Sequence, residues 1–214
     1  MLQTKIFTLY PEIFPGLLSK GIYGKALSKK IWDLKVVNIR DATEDKHKTV
    51  DDTPFGGGSG MLLKANVLAK SIDQNKRVGE RIFYLSPKGK KFDQKLAGEL
   101  SKEKSISLIC GHFEGVDERI LTTRNIEEIS IGDFILSGGE TAAFVVLDSI
   151  LRLLPGVLGN EQSKNDESFE SGLLEYPQYT KPQIWEKKSV PDVLLSGDHS
   201  KIKDWRLSQS EAIT

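Results

Sequence analysis

Three short runs rich in glycine hold many of the residues able to do chemistry in this chain. They are Tyr84-Leu-Ser-Pro-Lys-Gly89, Cys110-Gly-His-Phe-Glu-Gly-Val-Asp-Glu-Arg119 and Ser130-Ile-Gly-Asp-Phe-Ile-Leu-Ser-Gly-Gly-Glu140. Glycine permits positive φ and close approach, so main-chain N–H and C=O groups in such runs can meet a ligand directly. Ile131, Phe134, Ile135 and Leu136 could clasp a flat, apolar-faced group such as adenine while main-chain amides read its edge. One glycine-rich turn is ordinary loop structure. Three that follow successive strand-like segments, each with acidic or hydroxyl side chains, favour a ligand crevice. Their spacings match neither G-x-G-x-x-G after the first strand nor G-x-x-x-x-G-K-[ST], so a Rossmann dinucleotide site and a P-loop are not supported. A fourth loop, Thr53-Pro-Phe-Gly-Gly-Gly-Ser-Gly-Met61, suits a phosphate cradle or a flexible turn equally.

The remaining candidates are ambiguous when taken alone. Asp166 and Glu167 lie in a polar stretch and read first as a solvated linker. Arg152 stands near the end of a long apolar segment, where a cation would complement a helix C-terminus. Glu114 and Asp133 fit either ligand contacts or helix caps. His47, His112 and His199 have no ligand spacing with Cys110, so no metal site is expected. Cys110 itself sits in an apolar run and reads as a small core residue.

Something must hold the three runs together, and the chain alternates strand-like and helix-like segments around them. Strands are expected at Lys5–Tyr10, Leu34–Ile39, Arg81–Leu85, Ser107–Cys110 and Glu128–Ile131. Helices are expected at Pro11–Ser19, Ala65–Asn75, Phe92–Lys102, Val116–Thr123 and Thr141–Leu154, the last apolar on most faces and therefore buried. Continuous apolar strands alternating with helices predict an α/β domain with a mainly parallel sheet. In open sheets of that kind ligands bind beyond the carboxyl ends of the strands, where these runs fall. Composition then shifts to a polar linker signature over Gly156–Gly172. Beyond it a short helix at Asp192–Leu195 precedes an amphipathic one at Ile202–Ile213, anchored by Ile202, Trp205 and Ala212. The expected organisation is an α/β domain over 1–158, a mobile linker over 159–172 and a small helical domain over 173–214.

Composition bounds the partners. The 214 residues are 38% apolar and 28% charged, ordinary globular usage. No signal peptide and no membrane-length apolar run is visible, and one cysteine suits a reducing cytoplasm. The net charge of zero hides asymmetry: residues 61–110 hold 11 Lys/Arg against 5 Asp/Glu, and residues 111–151 hold 2 against 8. Only the 76–104 stretch offers a basic face of the kind nucleic acid needs, and a charge run is more often a solvated surface.

At these same runs the chain resembles a known family. The second and third glycine runs, Leu154-Pro-Gly-Val-Leu-Gly159, His47-Lys-Thr-Val-Asp-Asp-Thr-Pro-Phe-Gly-Gly-Gly58 and Gly172-Leu-Leu-Glu-Tyr-Pro-Gln-Tyr-Thr-Lys-Pro182 closely resemble the bacterial tRNA (guanine-N1)-methyltransferases of the TrmD family, in the same order. The resemblance runs from about Lys5 to the last residue. It implies the SPOUT fold, in which a deep trefoil knot holds S-adenosylmethionine; knots are rare exceptions to the rule against threaded loops, and no pattern in the residues announces one. The donor contacts it implies are Tyr84, Leu85, Ser86, Pro87, Gly111, Phe113, Glu114, Gly115, Ser130, Ile131, Gly132, Asp133, Phe134, Ile135, Leu136, Gly138 and Gly139. It implies RNA contacts at Lys25, His47, Asp51, Gly57 and Ser59. The expected partners are tRNA, methylated at guanosine 37 when another guanosine precedes it, and a second copy of the chain, with each active site at the subunit interface. Mg2+ is left open as a companion of the tRNA.

Guanine N1 becomes a good nucleophile only when a base removes its proton, and the charge gathering on O6 needs a donor or cation. The resemblance gives the first role to Glu167, with adjacent Asp166 as the alternative, and the second to Arg152. Some family features differ. The common Arg-Tyr after Cys-Gly is His112-Phe113 here, a usual Tyr is Phe134, and Pro-His-Tyr-Thr-Arg-Pro appears as Pro177-Gln-Tyr-Thr-Lys-Pro182, which turns a bidentate phosphate contact into a point charge. Relatives usually continue past the position of Thr214 with a basic Arg-Arg-Pro segment, so the C-terminal domain is expected to be truncated. The alternatives are a SPOUT methyltransferase acting on a ribose hydroxyl or another base, and a non-catalytic RNA-binding dimer.

Overall fold

The computed structural model describes residues 1–158 and 173–214. The chain divides into two compact units, Met1–Gly159 and Asn160–Thr214.

The first unit is mixed α/β. Its elements run β1 (Leu2–Thr8), α1 (Gly21–Ser28), β2 (Trp32–Asn38), β3 (Asp51–Asp52), β4 (Leu62–Leu63), α2 (Ala65–Asn75), β5 (Arg81–Lys91), α3 (Gln94–Leu100), β6 (Ser105–Cys110), α4 (Glu118–Thr123), β7 (Glu127–Ser130) and α5 (Glu140–Leu151). Five strands form one sheet in the order β2-β1-β6-β5-β7, and every pairing in it is parallel. Such a sheet must be covered on both faces, and two apolar clusters cover it. Ile6, Phe83, Leu85, Ile106, Leu108 and Cys110 pack with Leu96, Val146 and Ile150 of α3 and α5. Phe7, Ile82, Tyr84 and Ile109 point the other way, to Leu68 and Ile72 of α2 and to Ile120 of α4. One charge crosses the second face: Lys5 Nζ reaches Glu80 Oε2 at 2.8 Å with both side chains almost fully buried. A charge that deep depends on its partner, and removing either residue would strand the other.

Several expected boundaries move, each for a local reason. The segment Pro11–Ser19 is not one helix but two 3-10 turns, Pro11–Ile13 and Gly16–Ser19, parted by Phe14-Pro15. Strand β5 does not stop at Leu85. It runs to Lys91 because Leu85 and Lys90 both pair with Ile129, so Ser86–Gly89 is looped out of a single strand. That return needs glycine: a Cβ on Gly89 would stand 2.3 Å from the Ile129 backbone nitrogen. Helix α4 starts at Glu118 rather than Val116, since Asp117 caps it by accepting from Arg119 N. The one-turn-longer helix expected at 92–102 begins at Gln94 because Asp93 accepts from Leu96 N at 2.8 Å. Helix α5 ends at Leu151 rather than Leu154.

In the second unit a two-stranded ribbon, β8 (Ile184–Trp185) with β9 (Lys188–Ser189), precedes α6 (Asp192–Leu195) and α7 (His199–Ile213). Helix α7 begins three residues before Ile202 because the Asp198 carboxylate accepts from Ser200 N and Lys201 N. Ile202 and Trp205 are half-buried as expected of anchors, but Ala212 is exposed, and Ser210 occupies the buried position on the last turns.

Candidate functional site

The carboxyl ends of β5, β6 and β7 are neighbours in the sheet, and the glycine runs that follow them enclose one cavity of about 230 Å3. Its walls come from the looped-out Ser86–Pro87 corner, from Gly111–Gly115 and from the segment between Ser130 and Gly139. The second and third loops touch through main chain. Gly139 N donates to Gly111 O at 2.9 Å, and a Cβ on Gly139 would lie 2.6 Å from Cys110 Cα. No side chain fits at that contact. Tyr84 lies 8% exposed beneath the second loop, and a Cβ on Gly111 would meet its ring at 2.6 Å.

Of the residues expected to contact a donor, every one except Asp133 lines this cavity. Asp133 is exposed and outside the wall, turned out by the loop that carries its neighbours Gly132 and Phe134 inward. The reading of Glu114 and Asp133 as helix caps also fails, since Asp117 caps α4 and Gly139 precedes α5. The cavity adds His112, Ile129, Ser137 and Ala142. His112 and Ser137 sit inside the glycine runs and were legible there. Ile129 and Ala142 flank them and carry no signal beyond being small or apolar.

The electrostatics of the walls limit the chemistry. Burial first, then the charges of Glu128 and Glu118, push the Tyr84 phenol up to about 12. Tyr84 therefore enters as a neutral hydroxyl, not as a base. Burial, helped by Glu140, likewise pushes the Cys110 thiol up, which removes it as a nucleophile. Phe113 holds φ +60, a left-handed conformation costly for a non-glycine residue. Such outliers gather at functional sites. Phe134, Ile135 and Leu136 remain exposed by 53%, 81% and 39%, an apolar strip along the mouth.

The other candidates are spread more widely. The loop after β3 is tied to this wall: Glu114 N donates to Met61 O at 3.0 Å, Leu63 N donates to Gly115 O at 2.9 Å, and a Cβ on Gly60 would strike the Glu114 side chain. Gly57 and Ser59 are therefore exposed on a loop anchored to the cavity rim, while His47 and Lys25 are exposed and Asp51 is half-buried in β3. Arg152 follows the last turn of α5, whereas the cavity meets that helix at its first turn. Ten residues of helix, from Ala142 to Arg152, separate them by about 15 Å. Arg152 lies instead near Tyr23 and Asp148, whose hydrogen bond of 2.5 Å adds to burial in raising the Tyr23 phenol while the Arg152 charge opposes the rise. Glu167 and Asp166 lie outside the described residues. The basic 76–104 stretch is partly neutralised, with Arg81 held bidentate by Glu127 at 2.8 and 2.7 Å and Lys76 beside Asp73.

A parallel α/β unit with a glycine-built cavity across three adjacent strand ends has the form of a small-molecule site walled largely by main chain. Comparison with known proteins makes the class specific. A family model described as tRNA (Guanine-1)-methyltransferase TrmD matches residues 2–214, and the chain belongs to that family. The tRNA (guanine-N(1)-)-methyltransferase of Pelagibacter ubique (strain HTCC1062) is 86% identical over 214 residues, all of this chain and 94% of that protein. Proteins of the same description from Bartonella tribocorum and Brucella canis are 54% and 53% identical over 212 residues, 99% of this chain and 91% and 86% of theirs.

Proposed function

We propose that this protein transfers the methyl group of S-adenosylmethionine to N1 of guanosine 37 in tRNA. The observation that carries the reading is the cavity itself, whose walls are main chain and small residues at three adjacent strand ends, in a chain of this family. The cradle suits the donor: Gly111, Gly115 and Gly139 let the loops lie directly on Tyr84 and on the Cys110 backbone, Leu85, Ile131 and Leu136 supply apolar faces, and Glu114 supplies a carboxylate for the donor's cationic part. When bound, S-adenosylmethionine supplies a methyl group on a sulfonium leaving group. The main-chain contact of the third loop with the second at Gly139 supports reading this region as the deep trefoil knot of the SPOUT fold.

In this reading Glu167 takes the N1 proton of guanine as N1 gains the methyl group, and Asp166 is the alternative base. Arg152 stabilises the negative charge on O6. Because Arg152 stands about 15 Å along α5 from its own cavity, it serves the site of a second copy, which supports a homodimer with active sites at the interface. Residues 1–158 bind the donor, 159–172 carry the base and 173–214 grip tRNA. Lys25, His47, Asp51, Gly57 and Ser59 line the RNA path, the last two on the loop tied to the cavity rim. Mg2+ stays open as a companion of the tRNA phosphates. No described helix is long and apolar enough to cross a membrane, in keeping with a cytoplasmic enzyme that meets tRNA.

Incubation of a tRNA transcript carrying guanosines at 36 and 37 with methyl-labelled donor, followed by nucleoside analysis, tests this directly. The expected product is 1-methylguanosine, lost when position 37 is adenosine. Label in a ribose or in another base would overturn it.

A further inference from the structure

His112 is not among the donor contacts implied by the family resemblance, yet it lies between two walls of the cavity. Its Nε2 stands 2.8 Å from Glu140 Oε2, and the two side chains are only 14% and 8% exposed. Glu140 is the first residue of α5 and is held from the far side, where Thr8 Oγ1 donates to its Oε1 at 2.6 Å. The Thr8 hydroxyl in turn accepts from Tyr10 N at 2.9 Å. Thr8 closes β1, so the chain of bonds runs from the sheet to the start of α5 and on to the second loop. A carboxylate offers only acceptors, so the proton of the His112–Glu140 bond belongs to Nε2. The ring also packs edge-on against Tyr10, with centroids 4.9 Å apart, and a Cβ on Gly138 would stand 2.2 Å from His112 Cε1. The imidazole therefore rests on bare backbone of the third loop while its nitrogen is tied to the residue that ends it.

We propose that His112 is a positioning residue for the methyl donor. Through Glu140 and Gly138 it locks the third loop onto the second and fixes the shape of the cavity between them. The inference rests on the reading of that cavity as the donor site. A brace of this kind sets affinity for the molecule enclosed, because a loosened loop must be reordered each time the ligand binds. It does not act on the transfer once the donor is seated.

Donor binding by calorimetry and steady-state methylation of tRNA, on the full chain and on His112→Ala, separate these effects. Loss of one charge-assisted hydrogen bond predicts a donor Kd and KM raised about tenfold. At saturating donor, kcat should stay within about twofold of the parent value. His112→Arg, which can again donate to Glu140, should recover most of the affinity. Glu140→Gln combined with His112→Ala should add little to His112→Ala alone, as two ends of one contact do. Unchanged donor affinity in His112→Ala, or a fall in kcat with affinity intact, overturns the proposal while leaving the donor site in place. Failure of the parent protein to bind the donor overturns the cavity reading and this inference together.

Discussion

The strand-end cavity and the C-terminal unit place their side chains in opposite ways. Around the cavity the backbone forms the packing contacts: Gly139 touches Gly111 and Cys110 through main chain, Gly111 lies on the Tyr84 ring, and the supporting strands are buried on both faces. Among the described residues of the second unit only Ser210 is buried. Its aromatic groups sit at or near the surface, with Arg206 4.7 Å above the Tyr176 ring and Tyr179 facing Trp205. A site formed by main chain between packed strands is ordered before its ligand arrives, so little binding energy is spent on arranging it. The described residues of the second unit thus present most of their apolar groups at the surface rather than in a core. The difference agrees with the division of labour proposed above, in which the first unit would shape a small molecule's pocket and the second would present stacking and cationic groups to tRNA.

The sharpest way to break that division is to remove the base expected between the two. Glu167→Ala should lower kcat by about a hundredfold to ten thousandfold, with donor affinity unchanged. Asp166→Ala retaining near-parent turnover would assign the role to Glu167, and the reverse result would exchange them. A smaller effect is expected at the backbone contact. In Gly139→Ala the added methyl meets Cys110 main chain at 2.6 Å, which cannot swing aside. Stability should fall by about 1–3 kcal/mol, read from the denaturation midpoint, and donor binding should weaken with it. The same substitution at Gly197, where a Cβ has nothing within 4 Å, should leave donor binding alone.

Tyr84 allows a test by pH. Its folded-state pKa is raised from the ordinary 10.0 to about 12, so the folded chain holds that proton more tightly than the unfolded chain does. The contribution is fully present below pH 10 and is lost as pH rises toward 12. Tyr84→Phe should flatten this part of the melting-temperature profile, by an amount equivalent to about 2 kcal/mol at the alkaline end. An identical alkaline decline in both proteins would place the loss elsewhere. The smallest effect is expected in the second unit. Arg206→Ala should weaken tRNA binding by about fivefold, more at low salt than at high, with no change in donor Kd.

Much of this was legible in the residues because the signals were periodic or chemical. Ala65–Asn75 repeats apolar groups at helical spacing and forms that helix, and the glycine runs mark the walls of the cavity. The misses have local causes. By its residues the first run is a turn ending a strand, but Leu85 and Lys90 both pair with Ile129, a register no single-strand pattern encodes. Asp133 shares its run with residues that line the cavity, and spacing does not say which side of an irregular loop faces inward. The His112–Glu140–Thr8 chain joins residues up to 132 positions apart, a distance over which composition and periodicity are silent. Helix starts shifted wherever an aspartate accepted the first free amides, at Asp93, Asp117 and Asp198.

The division between the two units can be tested most directly by titrating S-adenosylmethionine into the full chain and into a fragment of residues 1–158. The account predicts donor affinities within about threefold of each other, and no transfer to tRNA by the fragment. A folded fragment that binds no donor would contradict it, and so would a fragment that methylates guanosine 37 at the rate of the whole chain.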